Sequence, residues 1–517
     1  MDASALKFLS IGAAAAVVGA CSVAIGDFEE CRVQADCASG LLCVDNLCVS
    51  QDGGPPPICT SSDECRVALG YGAVCEATGC VVAPKSERCA LTEPPDLAGA
   101  LGTAGVTGRV LLGAMFKLQA PKELARAHAA QLAVREMNEE GGIVGVPVGL
   151  VVCDNDLDND PANDEQESED ATRYLADSLG VRLVVGPSSS ANATAAVNTL
   201  LTGRLPTSIV SPSATSSTLT NLVDRFDPAT DPHGLFWRTC PSDSLQGRVL
   251  ATTIAETLAE VTDRVLVAYQ RDSYGQGLEE TFRAEFLALD ADHQVTSRSF
   301  EVDESDLAEA VAGLAAVGSA GALLIVSGDA NRTVHVLEEA SASSLVDLPV
   351  FLTDGSKDAQ VLLSRANPSG VKAMLLGARG TAPARPSGLA YDTFANNLQT
   401  VFGVDPAEFS FVAQSYDATY AGVFALAFAT RSSEPYDGFK VAEGLAQLTA
   451  GQKVNAGPTG FTTGVSELRG RAARIDLEGT SGPLDFDPTT GEAPGPIEVW
   501  QVNPDGTAFV TVSVVTP

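Results

Sequence analysis

LVVGPSSSANATAAVNTLLTGRLPTSIVSPSATSSTLTN, residues 183–221, holds one device twice. An apolar strand, 183–185, ends at Gly186 and runs into Pro187, Ser188, Ser189 and Ser190. A helix follows, with Ala193, Ala196, Val197, Leu200 and Leu201 at helical spacing. A second strand, 208–210, ends in another hydroxyl-rich loop, Ser211 to Ser217. Two short polar loops thus sit at the carboxyl ends of neighbouring strands, where an open α/β sheet binds ligands. Small residues let a ligand approach the backbone, and a helix N-terminus offers unpaired N–H groups to an anion such as a carboxylate. The same residues are also ordinary helix caps.

Outward from this stretch, strands alternate with helices from Arg109 onward, which implies βαβ units and parallel sheets. Residues 110–114 read as a buried strand. Residues 121–140 form a helix with Ala127, Ala130, Val134 and Met137 along one stripe, stopped by Gly141-Gly142. The strand 148–152 leads into Asp154, Asp156, Asp158 and Asp160. That spacing suits calcium, but Asn159 stands where an EF-type loop has its glycine, and no metal is assigned. A second series follows: strand 265–269, a helix with Leu278, Phe282, Phe286 and Leu289, a helix with Leu307, Val311 and Leu314, then strands 322–327 and 350–353.

The chain of 517 residues carries a net charge of −34, which argues against a nucleic-acid partner. Its 45% apolar content is ample for real cores. Residues 1–20 form a targeting segment whose apolar stretch, 8–18, is too short to span a bilayer. Val18-Gly19-Ala20-Cys21 resembles the bacterial lipoprotein signal, which implies lipidation at Cys21 and anchoring in the cell envelope. Ser22 in place of Asp favours outer-membrane sorting by the same resemblance. Cys31, Cys37, Cys43 and Cys48, then Cys59, Cys65, Cys75 and Cys80, repeat the pattern C-x5-C-xn-C-x4-C within residues 21–83. In an exported chain this reads as a disulfide framework, with two bridges expected per repeat and the connectivity open. Zinc is disfavoured, since there is no C-x2-C knuckle and no histidine in the region. The repeats resemble the small modules of surface lipoproteins and imply a stalk or interaction module. Cys89, Cys153 and Cys240 form an odd set, leaving room for one pair and one thiol. Residues 84–108 read as a Pro/Gly/Ala linker.

Ala133 to Ile143 (AVREMNEEGGI), followed by strand 148–152, Asp154 and Asp160-Pro161-Ala162, resembles the opening of type I periplasmic binding proteins, closest to the leucine/isoleucine/valine-binding receptors. The resemblance continues in order through Val185–Ser190, Ser211–Thr215, Phe236–Thr239, Ala268–Gly277, Phe351–Gly355, Ser415–Ala418 and Gly479–Pro488. It implies a two-lobed α/β fold over residues 109–517, each lobe a parallel sheet flanked by helices. Lobe one would take about 109–239 and 379–488, lobe two about 240–378 and 489–517, with crossings near Thr239, Ala378 and Pro488.

By that resemblance Ser188, Ser189, Ser190, Ser213, Ala214 and Thr215 hold a ligand carboxylate, while Tyr274 and Asp354 act from the second lobe, the acid pairing with an ammonium. Where the family places an aromatic after the strand at 322, this chain has Asp329-Ala330. A second carboxylate there favours a more polar or cationic ligand than leucine. Tyr416 reads as packing, and Asp417 is open. His128, His233, His293 and His335 form no metal pattern, and no nucleophile elbow, phosphate loop or dinucleotide fingerprint is present. The expectation is therefore a non-enzymatic solute-binding lipoprotein without cofactor. It captures an amino-acid-like ligand for an ABC permease or for sensing. The rival is an outer-membrane lipoprotein of the same fold that activates a cell-wall enzyme by contact.

Overall fold

The computed structural model describes residues 41–44, 47–50, 58–77, 79–258, 263–432 and 434–517. The targeting segment, Cys21, Cys31 and Cys37 lie outside the described residues. The chain divides after Pro56 into two units, and in the first a small antiparallel hairpin, Leu41–Val44 against Leu47–Ser50, places Cys43 opposite Cys48. Pro57 to Pro517 form the other.

The larger unit contains two large sheets, besides two two-stranded ones among the described residues. The first has strands β1 (Leu91–Glu93), β2 (Val110–Phe116), β3 (Val148–Asp154), β4 (Leu183–Val185), β5 (Ser208–Ser211) and β6 (Phe236–Arg238). Their order is β6-β5-β4-β2-β3-β1, parallel except for β1 against β3. The second has β7 (Arg264–Gln270), β8 (Gln294–Phe300), β9 (Ala322–Val326), β10 (Val350–Leu352), β11 (Arg379–Pro383), β12 (Ile497–Val502) and β13 (Phe509–Val515). They are ordered β8-β7-β9-β10-β11-β12-β13, with the last two strands antiparallel to their neighbours. Strands such as β2, β3 and β9 are buried along their whole length. Apolar clusters cover both faces of each sheet, so these strands read as continuous apolar runs instead of alternating ones.

Helices connect the strands: α1 (Pro121–Glu139), α2 (Asp164–Arg173), α3 (Ser190–Gly203), α4 (Asp243–Leu258), α5 (Ser273–Leu289), α6 (Ala330–Ser341) and α7 (Val412–Ala429). Pro121 opens α1, where its missing N–H has no partner to lose, and Gly142 ends it at a positive φ. The expected stripe of α1 is fully buried, but Ala125, Ala129 and Leu132 are buried too, because α7 packs against it. Leu289, expected on the apolar face of α5, is half-exposed at the last turn, while Leu278, Phe282 and Phe286 are buried.

Three expectations are corrected. Residues 84–108 are no linker: β1 pairs with β3, Leu97, Leu101 and Val106 enter the core, and a Cys89–Cys153 disulfide ties the segment to β3. Its Pro and Gly residues suggested a linker, but its leucines are the part that packs. The second crossing does not fall at Ala378, because β11 still hydrogen-bonds within the second sheet and the chain leaves after Pro383. The third falls beyond Pro488, because Glu492 still bridges Arg238 and Ala493 lies in the first lobe's core.

The second cysteine repeat closes as Cys59–Cys75 and Cys65–Cys80. It does not stand free as a stalk. Tyr71 and Val106 exchange backbone hydrogen bonds at 3.0 and 2.9 Å, Gly72 N–H donates to Leu179 O at 2.9 Å, and Asp63 pairs with Arg182 at 2.5 Å. Cys240 is the free thiol among the described cysteines, and burial pushes it up to about 12.

Candidate functional site

Two topological switch points face one another. In the first sheet β2 and β4 are neighbours with connections leaving in opposite directions, and in the second β7 and β9 are. Ligands bind outside the carboxyl ends of strands at such points. Gly186 makes the first loop possible: its φ is +92°, and a Cβ there would lie 2.3 Å from Met115 O.

The loops after β4 and β5 brace each other. Ser188 Oγ donates to Glu123 Oε2 at 2.5 Å, and Ser189 Oγ accepts from Asn192 N–H, capping α3. Ser190 Oγ accepts from Ser216 N–H at 3.1 Å, joining the two loops. Ser213 Oγ donates to Ser188 O at 3.0 Å and accepts from Arg126 at 3.2 Å. The hydroxyls are thus partnered within the protein. The part of this wall suited to an anion is the N-terminus of α3, whose first N–H groups have no partner inside the helix. Ala214 and Thr215 are buried behind the wall; Thr215 Oγ1 donates to Asp243 Oδ2 at 3.1 Å.

Across the cleft, the Tyr274 hydroxyl donates to Asp354 Oδ1 at 2.7 Å and also reaches Thr353 Oγ1 at 2.9 Å. Gln246 Nε2 donates to the same Asp354 Oδ1 at 2.7 Å. Burial raises the Asp354 carboxyl, opposed by those two donors. Burial and the Asp354 charge raise the fully buried Asp243 carboxyl further. Burial likewise raises the Tyr274 phenol, so it stays a donor.

Ser188, Ser189, Ser190, Ser213, Tyr274 and Asp354 line one cleft. Asp329 does not join them on the inner wall. It caps α6 through Asn331 and Arg332 N–H at the cleft's outer mouth and lies 3.6 Å from Lys122. Burial works to raise its carboxyl, but Lys122 and Arg332 win and hold it down at about 2. An acid already paired with Lys122 contributes little free charge for a ligand.

Sequence reading missed the floor of the cleft. Lys122, Glu123 and Arg126 come from the first turns of α1, and Phe409, Ser410 and Phe411 from the segment before α7. Arg126 is buried, 2.5 Å from Glu123 Oε1, donates twice to Ser410 O and stacks on Phe411 at 5.2 Å. The rule that singled out the loop after β4 applies equally to β2, and its charged helix start was the signal available. The lobes are drawn together over this space. Lys122 Nζ donates to Gly328 O at 3.2 Å, Ser216 Oγ to Ser273 O at 2.7 Å, and Gln360 Nε2 to Glu408 Oε2 at 2.9 Å.

A family model described as periplasmic binding protein matches residues 120–507. The chain belongs to the periplasmic binding protein family. The Leu/Ile/Val-binding protein BraC3 of Rhizobium johnstonii is 31% identical over 159 residues, which cover 30% of this chain and 37% of BraC3. Among solved structures, the binding protein LivJ of Streptococcus pneumoniae, in complex with isoleucine, has a TM-score of 0.57 at 18% identity, over 79% of this chain and 100% of that one. A solute-binding protein of an ABC transporter from Rhodopseudomonas palustris, in complex with 3,4-dihydroxybenzoic acid, has a TM-score of 0.57 at 13% identity, covering 79% and 98%. At those identities the structures establish the fold alone.

In this binding protein Asp417, left open by the sequence, holds the closing turn. It is fully buried and accepts from Thr480 N–H at 2.7 Å and Oγ1 at 3.0 Å, and from Ser481 N–H at 2.7 Å and Oγ at 2.5 Å. Tyr416 packs as expected, and its hydroxyl also donates to buried Glu136. Burial raises Asp417 from 3.8 to about 6 against the pull of Ser481 and Thr480. Above its unfolded value, the folded carboxyl binds a proton more tightly. Its contribution is therefore complete below about pH 4 and is lost as pH rises through about 6. Urea unfolding at several pH values checks this: stability falls across that window in the parent, and Asp417→Asn flattens the fall. An identical pH profile in the variant would rule the assignment out.

Proposed function

We propose that this protein captures a small, carboxylate-bearing, amino-acid-like solute between its lobes, for ABC-type transport or for sensing. The observation that carries the reading is the pairing of opposites across the cleft. The positive end of α3 forms one wall, and Asp354, with Oδ1 engaged by Tyr274 and Gln246, forms the other. A zwitterion fits between them, carboxylate toward α3 and ammonium toward Asp354. The ligands held by the two structural relatives, isoleucine and 3,4-dihydroxybenzoic acid, share a carboxylic acid and differ in the ammonium. An envelope location, with a lipid on Cys21, completes the reading. No helix among the described residues is long and apolar enough to cross a membrane.

Isothermal titration of the folded protein against the common amino acids, their amides and a set of benzoates tests this. Binding of an amino acid with one-to-one stoichiometry is expected. Silence across the whole panel sinks the proposal.

A further inference from the structure

We propose that the turn between β3 and α2 binds a calcium ion through Asp156, Asp158 and Glu167. One carboxylate oxygen from each of these residues lies within 4.8 Å of the other two. Calcium holds oxygens at about 2.3–2.6 Å, so ligands up to about 5 Å apart are within its reach, and it accepts irregular carboxylate sets where magnesium demands near-ideal octahedral geometry.

A second observation is independent of this clustering. Asp156 is 6% exposed; its Oδ2 lies 3.4 Å from Lys117, and its Oδ1 is sealed from solvent with no hydrogen-bond partner. Asn155, 1% exposed, leaves its Oδ1 in the same condition, as do Asn163 and Asp164. All four orphaned atoms on this turn are oxygens, and a buried acceptor without a donor is costly. An oxygen-seeking cation held by Asp156, Asp158 and Glu167 supplies the partner that Asp156 Oδ1 lacks.

The charge balance points the same way. Residues 154–167 hold seven acids: Asp154, Asp156, Asp158, Asp160, Asp164, Glu165 and Glu167. The bases in ion pairs with them are Lys117, on Asp156 and Asp164, and Arg88, 3.7 Å from Glu167. Negative charge is left over. The missing loop glycine, which weighed against calcium in the sequence, is answered by the backbone: Asn159 takes φ +56°, a left-handed conformation that asparagine tolerates.

The test is titration of CaCl2 into the chelator-stripped protein, followed by calorimetry and thermal unfolding. One ion is expected to bind with a dissociation constant of about 10⁻⁴–10⁻³ M or tighter, the range of extracellular calcium modules, and to raise the melting temperature. Asp158→Asn, at an exposed position whose replacement leaves the core untouched, should weaken binding about tenfold or more and remove the thermal shift. MgCl2 should bind more weakly. Absence of both heat and thermal shift at about 10 mM CaCl2, well above that range, overturns the proposal. So does calcium binding that Asp158→Asn leaves unchanged. Equal affinity for magnesium overturns the choice of calcium.

Discussion

Replacing Arg238 with Met is expected to destabilise this binding protein by about 3–5 kcal/mol, the range for breaking a buried ion pair from one side. Arg238 has no exposed surface. Its guanidinium donates to Ala214 O at 2.9 Å, Ser216 O at 2.8 Å and Thr220 Oγ1 at 3.2 Å, and pairs with Glu492. It stands at the end of β6, where the chain is about to leave the first lobe, and Glu492 lies on the segment that later returns to the second. One side chain therefore holds the second ligand loop and two crossings in register. Removing it leaves two carbonyls, a hydroxyl and a carboxylate without their shared donor. Arg238→Lys should recover only part of the loss, because one ammonium cannot fork to four acceptors. Urea titration measures this as a lower midpoint at constant slope. A Met variant within 1 kcal/mol of the parent, below the ~3 kcal/mol floor for such pairs, would refute the role.

Asp354→Asn is expected to lower affinity for an amino-acid ligand about a hundredfold, in line with losing one partner of a desolvated charge pair. The substitution keeps Oδ1 as an acceptor for Tyr274 and Gln246, so the wall should hold its shape while losing its charge. Affinity for the matching acid without an amino group should change little. If both ligands lose affinity equally, Asp354 is a wall residue and the ammonium sits elsewhere. The pH dependence follows from the same group. Burial raises the carboxyl, and an ammonium needs it ionised. Amino-acid affinity should therefore fall as pH drops through that raised value, and the Asn variant should lack this fall.

Much of the site was legible before the fold. Ser188, Ser189, Ser190 and Ser213 line the cleft because short hydroxyl loops at strand ends are a local feature with a local reading. Asp354 joins them, although only a resemblance pointed to it. Thr215 and Asp329 are at the right strand ends but face elsewhere, one bonded to Asp243 and the other capping α6. For Arg126 the charged start of α1 was the one local signal, shared with Glu123, because its other partners Ser213 and Ser410 lie 87 and 284 residues away.

By itself the sequence determined the alternation of strands and helices, the buried character of the strands, the hydroxyl loops and the two bridges of the second cysteine repeat. Each of these depends on residues close together in the chain, through periodicity, turn chemistry or spacing. Only the tertiary structure decided that the Pro/Gly-rich segment before Arg109 packs as an edge strand, that Cys89 pairs with Cys153, and where the chain crosses between sheets. It also decided which hydroxyls turn toward the cleft and which toward a buried acid. Those outcomes rest on contacts between residues tens to hundreds of positions apart, and no local pattern encodes which distant partner satisfies a given polar atom.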